Sequence, residues 1–392
     1  MRTGSPARSK GSKTVQLGLG AILVVMIGFA LVPAAQAAVT FSVTTTVNVG
    51  ITPVSIAVNP TLGRYYVLNQ ADDTLYVFDT ATNSLQANLT VGSSATGVAV
   101  NPSNGMVYVA QSDGNSIAVF DSSNAFVTNV TVGTSPSAVA VNPSTGNVYV
   151  ANYLIGTVSV VDSTNTAVAT VSVGDSPDSI AVNPTTGMVY VADAGSDRID
   201  VIDGTTNSLV GNISAPTPAS LAINPAGGIL YSVDGVATLA VIDTLSNKIT
   251  ANITVADTPN GVAFNSQTKR VYLVNNGADS VTILDATTNS VLATVTVGAE
   301  PDAIGVDTSA NGAAYAANMN DASVSVIKEG AVVTTSTSTT STSTTAQTST
   351  TGTGTTPGGI PEFPMGLTFI ILATMVIVAS YVLVRRVAIP RL

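Results

Sequence analysis

Between residues 40 and 330 the chain is a succession of short Val-, Ile-, Tyr- and Thr-rich runs. They are cut by polar segments carrying Asn-Pro, Asn-Gly, Asp-Gly and Ser-Pro turn chemistry. The alternation is clearest over residues 139–152, VAVNPSTGNVYVAN. The same Asn-Pro corner returns at Asn59-Pro60, Asn101-Pro102, Asn142-Pro143, Asn183-Pro184 and Asn224-Pro225, then degrades to Asn265-Ser266 and Asp307-Thr308. The steps are 42, 41, 41, 41, 41 and 42 residues, so one supersecondary unit is copied seven times.

Each copy predicts four short strands, a to d. In the second full copy they fall at residues 97–100, 106–110, 116–120 and 126–132. Strands a and b are almost continuously apolar, which suits sheets covered on both faces by neighbouring sheets. The predicted fold is therefore all-β: a seven-bladed β-propeller of four-stranded antiparallel blades. A β-helix is the main competitor, but its coils are usually shorter than 41 residues and lack this four-strand grammar.

The pattern also predicts how the ring closes. A d-like strand, residues 42–49, precedes the first complete copy, while the last copy runs through a, b and c (323–328) and then meets low complexity. Pairing 42–49 with 323–328 would complete the last blade and remove an exposed edge.

Outside the repeats, residues 1–37 read as a signal peptide: a basic start, an apolar run and Ala35-Gln36-Ala37 before a mature start near Ala38. The alternative is an uncleaved N-terminal anchor. No Arg-Arg pair precedes the run, which favours the general secretion route. The propeller then occupies 38–330, and 331–360 is a Ser/Thr-rich stalk that cannot bury enough apolar surface to fold. Residues 361–392 hold Pro361-Glu362-Phe363-Pro364, an uncharged run at 366–384 of membrane-spanning length, and Arg385, Arg386 and Arg391. By the positive-inside rule the tail is cytoplasmic and the propeller extracellular.

Composition narrows the chemistry. The chain has no Cys, His or Trp, so thiolate sites, the commonest general base and the commonest transition-metal ligand are all missing. Between the two apolar termini six basic residues stand against all 23 acids, a balance of −17 that repels nucleic acid and anionic lipid.

The strand-b phrases Val107-Tyr108-Val109-Ala110-Gln111, Val148-Tyr149-Val150-Ala151-Asn152, Val189-Tyr190-Val191-Ala192-Asp193 and Val271-Tyr272-Leu273-Val274-Asn275 resemble the YVTN family of β-propeller repeats. That resemblance implies an archaeal surface-layer or cell-envelope setting, and it speaks to fold more than to function. The seventh copy departs most from the pattern, at Gly305-Val306-Asp307 and Ala314-Tyr315-Ala316-Ala317-Asn318. Pro361, Glu362, Phe363 and Pro364, placed before an apolar run and an Arg cluster, look like the archaeal PEF-type sorting signal. This implies cleavage and re-anchoring by an archaeosortase; the alternative is a membrane-proximal Pro turn.

Tyr66, Tyr108, Tyr149, Tyr190, Tyr231, Tyr272 and Tyr315 share one repeat position and are expected to pack between blades. Asp79, Asp121, Asp162, Asp203, Asp243 and Asp285 close strand c and are expected to accept turn N–H groups. The sequons at Asn88, Asn129, Asn212 and Asn252 all fall at one point of strand d, where the other copies have Thr46, Thr170 and Thr294, so rim N-glycosylation is expected.

Most remaining acids fall on the d-to-a and b-to-c connections of one face, among them Asp175, Asp178, Asp257, Glu300 and Asp302. Such a face could take Ca²⁺ or a basic partner, or simply keep the protein solvated. No EF-hand-like loop accompanies it, and no other cofactor is expected. With no isolated acid pair evident, the expected role is a non-enzymatic, membrane-anchored cell-surface module for structure or adhesion. Its partners would be other envelope or surface-layer proteins or glycans, and not nucleic acid. The alternatives are a lactonase-like extracellular hydrolase and a calcium-binding surface protein.

Overall fold

The computed structural model describes residues 39–330. The expectations for 1–37 and for 331–392, including Pro361, Glu362, Phe363 and Pro364, lie outside the described residues. Among the described residues no helix is long and apolar enough to cross a membrane.

Blade 1 is β2 (Pro53–Asn59), β3 (Arg64–Asn69), β4 (Thr74–Asp79) and β5 (Leu85–Thr90), and blade 2 is β6 (Ala95–Val100), β7 (Val107–Gln111), β8 (Ser116–Phe120) and β9 (Phe126–Thr131). Blade 3 is β10 (Pro136–Val141), β11 (Val148–Asn152), β12 (Thr157–Val161) and β13 (Ala167–Ser172), and blade 4 is β14 (Pro177–Val182), β15 (Met188–Asp193), β16 (Arg198–Asp203) and β17 (Ser208–Ser214). Blade 5 is β18 (Ser220–Asn224), β19 (Ile229–Val233), β20 (Thr238–Asp243) and β21 (Lys248–Thr254), and blade 6 is β22 (Pro259–Asn265), β23 (Arg270–Asn275), β24 (Ser280–Asp285) and β25 (Ser290–Thr296). Blade 7 joins the two ends of the propeller: β26 (Pro301–Val306), β27 (Ala314–Asn318) and β28 (Ser323–Glu329) are completed by β1 (Phe41–Asn48). The fold is a seven-bladed β-propeller of four-stranded antiparallel sheets.

Each part of the repeated phrase has a mechanical role. The corner Asn is buried, and its side-chain oxygen accepts an N–H two or three residues on, as Asn101 does from Ser103 (2.9 Å), Asn142 from Ser144 (3.0 Å) and Asn224 from Gly227 (3.1 Å). The degraded copies keep this bond, because Asn265 accepts from Gln267 (3.0 Å) and Asp307 from Ser309 (2.8 Å). What the corner needs is the side-chain oxygen, and Pro after it is dispensable. The seven equivalent tyrosines are all at most 1% exposed, wedged between blades as expected. At the closing seam Tyr315 of blade 7 stacks on Tyr65 of blade 1, with ring centroids 4.3 Å apart, and Tyr65 stacks on Phe78 at 5.0 Å.

The inner and outer strands carry the irregularities. Every outermost strand contains one β-bulge at the same place; in β9, for example, Phe126 and Thr128 pair with neighbouring residues of β8 and Val127 is the extra residue. Bulged, strongly twisted outer edges resist pairing with another chain. Six of the seven innermost strands are bulged at their second residue, which places Val54, Thr96, Ser137, Asp178, Asn260 and Asp302 out of the ladder.

Candidate functional site

The innermost strands surround a central cavity of about 470 Å³. Its wall is built in layers by the repeat. The bulged residues come first, joined in blade 5 by Ala219; a layer of small residues such as Ser55, Gly97, Ser179 and Ser220 comes next, and an apolar layer including Ile56, Val139, Ile180 and Ile304 follows. A bulge re-aims a side chain, and here it turns one residue of six blades toward the axis instead of into the ladder.

Most polar groups of the wall are already engaged between blades. Ser55, Ser179 and Ser220 accept the N–H groups of Val98, Leu221 and Val262, while Thr96 and Ser137 donate to the carbonyls of Pro136 (2.8 Å) and Pro177 (2.7 Å). The groups with spare capacity are the Gln70 amide, Asp178 and the pair formed by Asn260 and Asp302, in which the Asn260 amide donates to the Asp302 carboxyl. Asp178 is water-accessible but walled in on most sides, and burial pushes its carboxyl above the ordinary range. Burial raises Asp302 as well; the Asn260 bond opposes that shift and the charge of Asp178 adds to it.

The five acids expected on one face therefore divide. Asp178 and Asp302 line the cavity, whereas Asp175, Asp257 and Glu300 sit on the loops before β14, β22 and β26 and do not. Several other acids of this face are turned inward to hold loops. Asp72 accepts the Ile51 N–H, Asp321 that of Ala299, and Asp279 that of Glu300. Among the described residues no three Asp or Glu side chains lie close enough together to hold a metal ion.

The c-to-d turn aspartates behave as expected: Asp162 accepts the Thr164 hydroxyl (2.7 Å) and the N–H groups of Thr164 and Thr166. Asn88, Asn129, Asn212 and Asn252 are all exposed on outermost strands, each opposite the third residue of the neighbouring strand. Thr46, Thr170 and Thr294 take that place in the other blades.

Two features escaped the sequence reading. Asn260 joins the cavity only because of the bulge. The chain also holds acid pairs where none was evident: Asp178 faces Asp302 across the cavity, and Asp193 lies buried beside Asp200. A charged residue inside the apolar run Ile199-Asp200-Val201-Ile202, where other copies have Tyr76, Ala118, Ser159, Ala240, Thr282 or Ser325, was the available signal for the second pair.

The model of the family described as Lactonase, 7-bladed beta-propeller matches residues 73–215. That stretch contains Asp178, Asp193 and Asp200 but neither Asn260 nor Asp302. The match does not support reading the chain as a non-enzyme. No curated protein matches the chain in sequence. A solved structure of Kuenenia stuttgartiensis hydrazine synthase is similar, with a TM-score of 0.65 at 20% identity over 72% of this chain and 96% of that one. At that identity the likeness is one of fold.

Proposed function

We propose that this protein is a surface-displayed recognition propeller whose cavity mouth binds a ligand carrying a positively charged amine. The observation that carries the reading is the convergence of two carboxyls, Asp178 and the Asn260-bonded Asp302, on one cavity whose Ser and Thr hydroxyls are mostly engaged between blades. Two carboxyls in a partly enclosed site attract a cation more strongly than the same groups on an open surface.

The path of the chain supports the orientation this requires. Gly330 donates to the Thr40 carbonyl over 2.7 Å, so both ends of the propeller meet at one place. That place is the face opposite the cavity mouth, because β1 and β28 run from there toward the turn at Ala322. Tethered through a stalk at 331–360 and a membrane segment within 361–392, the propeller would hold its mouth outward. Glycans at Asn88, Asn129, Asn212 and Asn252 would then cover the rim and leave the mouth open. Other envelope proteins or glycans presenting amines are the partners that fit.

Titration calorimetry with spermidine and glucosamine tests the reading. Saturable binding weakened about tenfold or more in Asp178→Asn and in Asp302→Asn is the expected result. Absence of binding by both probes, or binding unchanged in both variants, refutes it.

A lactonase-like hydrolase is the second reading, supported by the family-model match. Without His or Cys, a carboxylate would have to serve as general base, and Asp178 lies within the matched stretch. Ring opening of a panel of lactones, followed by base consumption and abolished in Asp178→Asn, would place this reading first.

A further inference from the structure

In several blades the last residue of the second strand reaches the third strand, and the third-strand residue holds the loop that enters that same blade. In blade 3 the Asn152 amide donates to Ser159 Oγ (3.0 Å), and Ser159 Oγ accepts the N–H of Gly133 (3.2 Å). Blade 7 repeats the arrangement with Asn318, Ser325 (3.0 Å) and Gly298, and blade 6 pairs Asn275 with Thr282 (2.9 Å).

Blade 4 puts Asp193 and Asp200 in these two places, and both are fully buried. Asp200 accepts the Gly174 N–H at 2.9 Å and is gripped by the Arg198 guanidinium, with Nη2 at 2.9 Å and Nε at 2.8 Å. Both side-chain oxygens of Asp193 lack a partner. The charged groups around Asp193 are Asp200 and Arg198, both on β16; Asp175, on the loop, faces Arg198. Two buried carboxyls this close cannot both ionise at modest cost, and Asp200, already holding two donors, is the one suited to carry the charge. Burial first, then the charge of Asp200, push the Asp193 carboxyl up to about 8. A proton held on Asp193 would give this carboxyl the donor that the Asn amide provides in the other blades.

The position of this pair ties it to the cavity. Asp193 is the register partner of Pro177, and the next residue, Asp178, is the bulge that points into the mouth. Asp193 also packs directly on Gly174, where an added Cβ would come within 2.7 Å of its own Cβ. Loop 174–177 is thus held by the acid pair at Gly174 and by the ladder at Pro177, and Ser176 between them has a positive φ of 54°.

We propose that Asp193 and Asp200 share one proton and so clamp the loop that carries Asp178, and that losing this proton loosens the loop and displaces one of the two carboxyls at the mouth. Its consequence for ligand binding rests on the recognition reading above; the clamp itself does not. The amine site would hold its geometry at neutral and acidic pH and lose it in alkali.

Hydrogen exchange of the full-length protein, read by mass spectrometry and corrected for base-catalysed chemical exchange, tests the clamp without any ligand. Between about pH 6 and about pH 9, protection of the segment containing Gly174 should fall tenfold or more, while the equivalent segment containing Gly133 holds steady. Asp193→Asn, which restores the amide found in blade 3, should abolish the fall. Flat protection at Gly174, an equal fall at Gly133, or an undiminished fall in Asp193→Asn each overturns the proposal. Should that variant not fold, the contrast between Gly174 and Gly133 in the unaltered protein decides alone. A responsive clamp without spermidine binding would remove the recognition reading and leave the clamp standing; spermidine binding with flat exchange would do the reverse.

Discussion

The Thr44 hydroxyl donates to the carbonyl of Val326 over 3.2 Å, a bond between residues 282 positions apart. It is one stitch of the seam between β1 and β28, which pair from Phe41 with Glu329 to Asn48 with Ser323. Beginning the chain at residue 50 would leave β28 as an unpaired apolar edge. Such a truncation should unfold at lower temperature, lose a single cooperative transition and aggregate. Val47→Asp, which sets a charge against the cluster of Tyr65, Tyr315 and Val324, should cost about 2–3 kcal/mol in urea unfolding. An unchanged melting curve for the truncation would mean the seam does not hold the ring shut.

Across the same seam the Tyr315 hydroxyl lies 3.4 Å from the Thr80 carbonyl and its ring is fully buried. Tyr315→Ala should destabilise by about 3–5 kcal/mol through lost burial and cavity formation. Tyr315→Phe should cost only about 1–2 kcal/mol, because packing outweighs two long hydrogen bonds, to the Thr80 carbonyl and from the Asn311 amide (3.3 Å). Denaturant titration of the two variants separates these contributions.

At the cavity mouth, Asp178 and Asp302 hold their protons to higher pH than ordinary carboxyls, mainly through burial. Acids raised in the folded state contribute stability that is present below the usual carboxyl value of about 4 and is lost as pH rises through the raised value. Asp178→Asn and Asp302→Asn should therefore be neutral or stabilising at neutral pH while weakening amine binding. Amine affinity should climb with pH above about 4 as the two charges develop, up to the alkaline range where the clamp opens. Calorimetry over a pH series, beside melting curves of the two variants, checks both.

The turn aspartates have the opposite sign. The hydroxyls of Ser123, Thr164, Thr205 and Ser246, followed by turn N–H groups, hold Asp121, Asp162, Asp203 and Asp243 below the usual carboxylate range. Their contribution is present above the unfolded carboxyl value and is lost as pH falls through the lowered ones. Melting temperature should drop on acidification below about pH 4, and the drop should shrink when several of these positions are changed to Asn. Circular dichroism melts across the acid range measure it.

Exposure of Asn88, Asn129, Asn212 and Asn252 on the rim leaves all four open to a glycosylating enzyme. Intact mass of the native protein should exceed the sequence mass by the glycan increments and return to it in the fourfold Asn→Gln variant, with no loss of stability. A native mass equal to that of the unmodified chain would sink the expectation.

Much of the architecture was legible because a repeat prints each local rule seven times. Buried Tyr in strand b, an oxygen-bearing side chain at the corner and Asp at the c-to-d turn are short-range requirements, met within a few residues of where they are written. Even closure could be read, since a strand left over at one end matches one missing at the other.

The site was less legible. Asp175 and Asp178 look equivalent in sequence, three residues apart and both acidic, yet only Asp178 lines the cavity, because the bulge after Pro177 turns it toward the axis. Asp200 was hidden for a related reason: its meaning depends on Asp193 across the ladder and on Gly174 in a loop 26 residues away.

The sequence by itself determined the number of blades, the strands within them and the side chains that pack and cap them, because each follows from local pattern and turn chemistry. Only the tertiary structure decided which acids meet. Closing the ring brings innermost strands from distant repeats around one cavity, and the bulges select which of their residues face it. Those distances depend on the assembled ring, and no local rule encodes them.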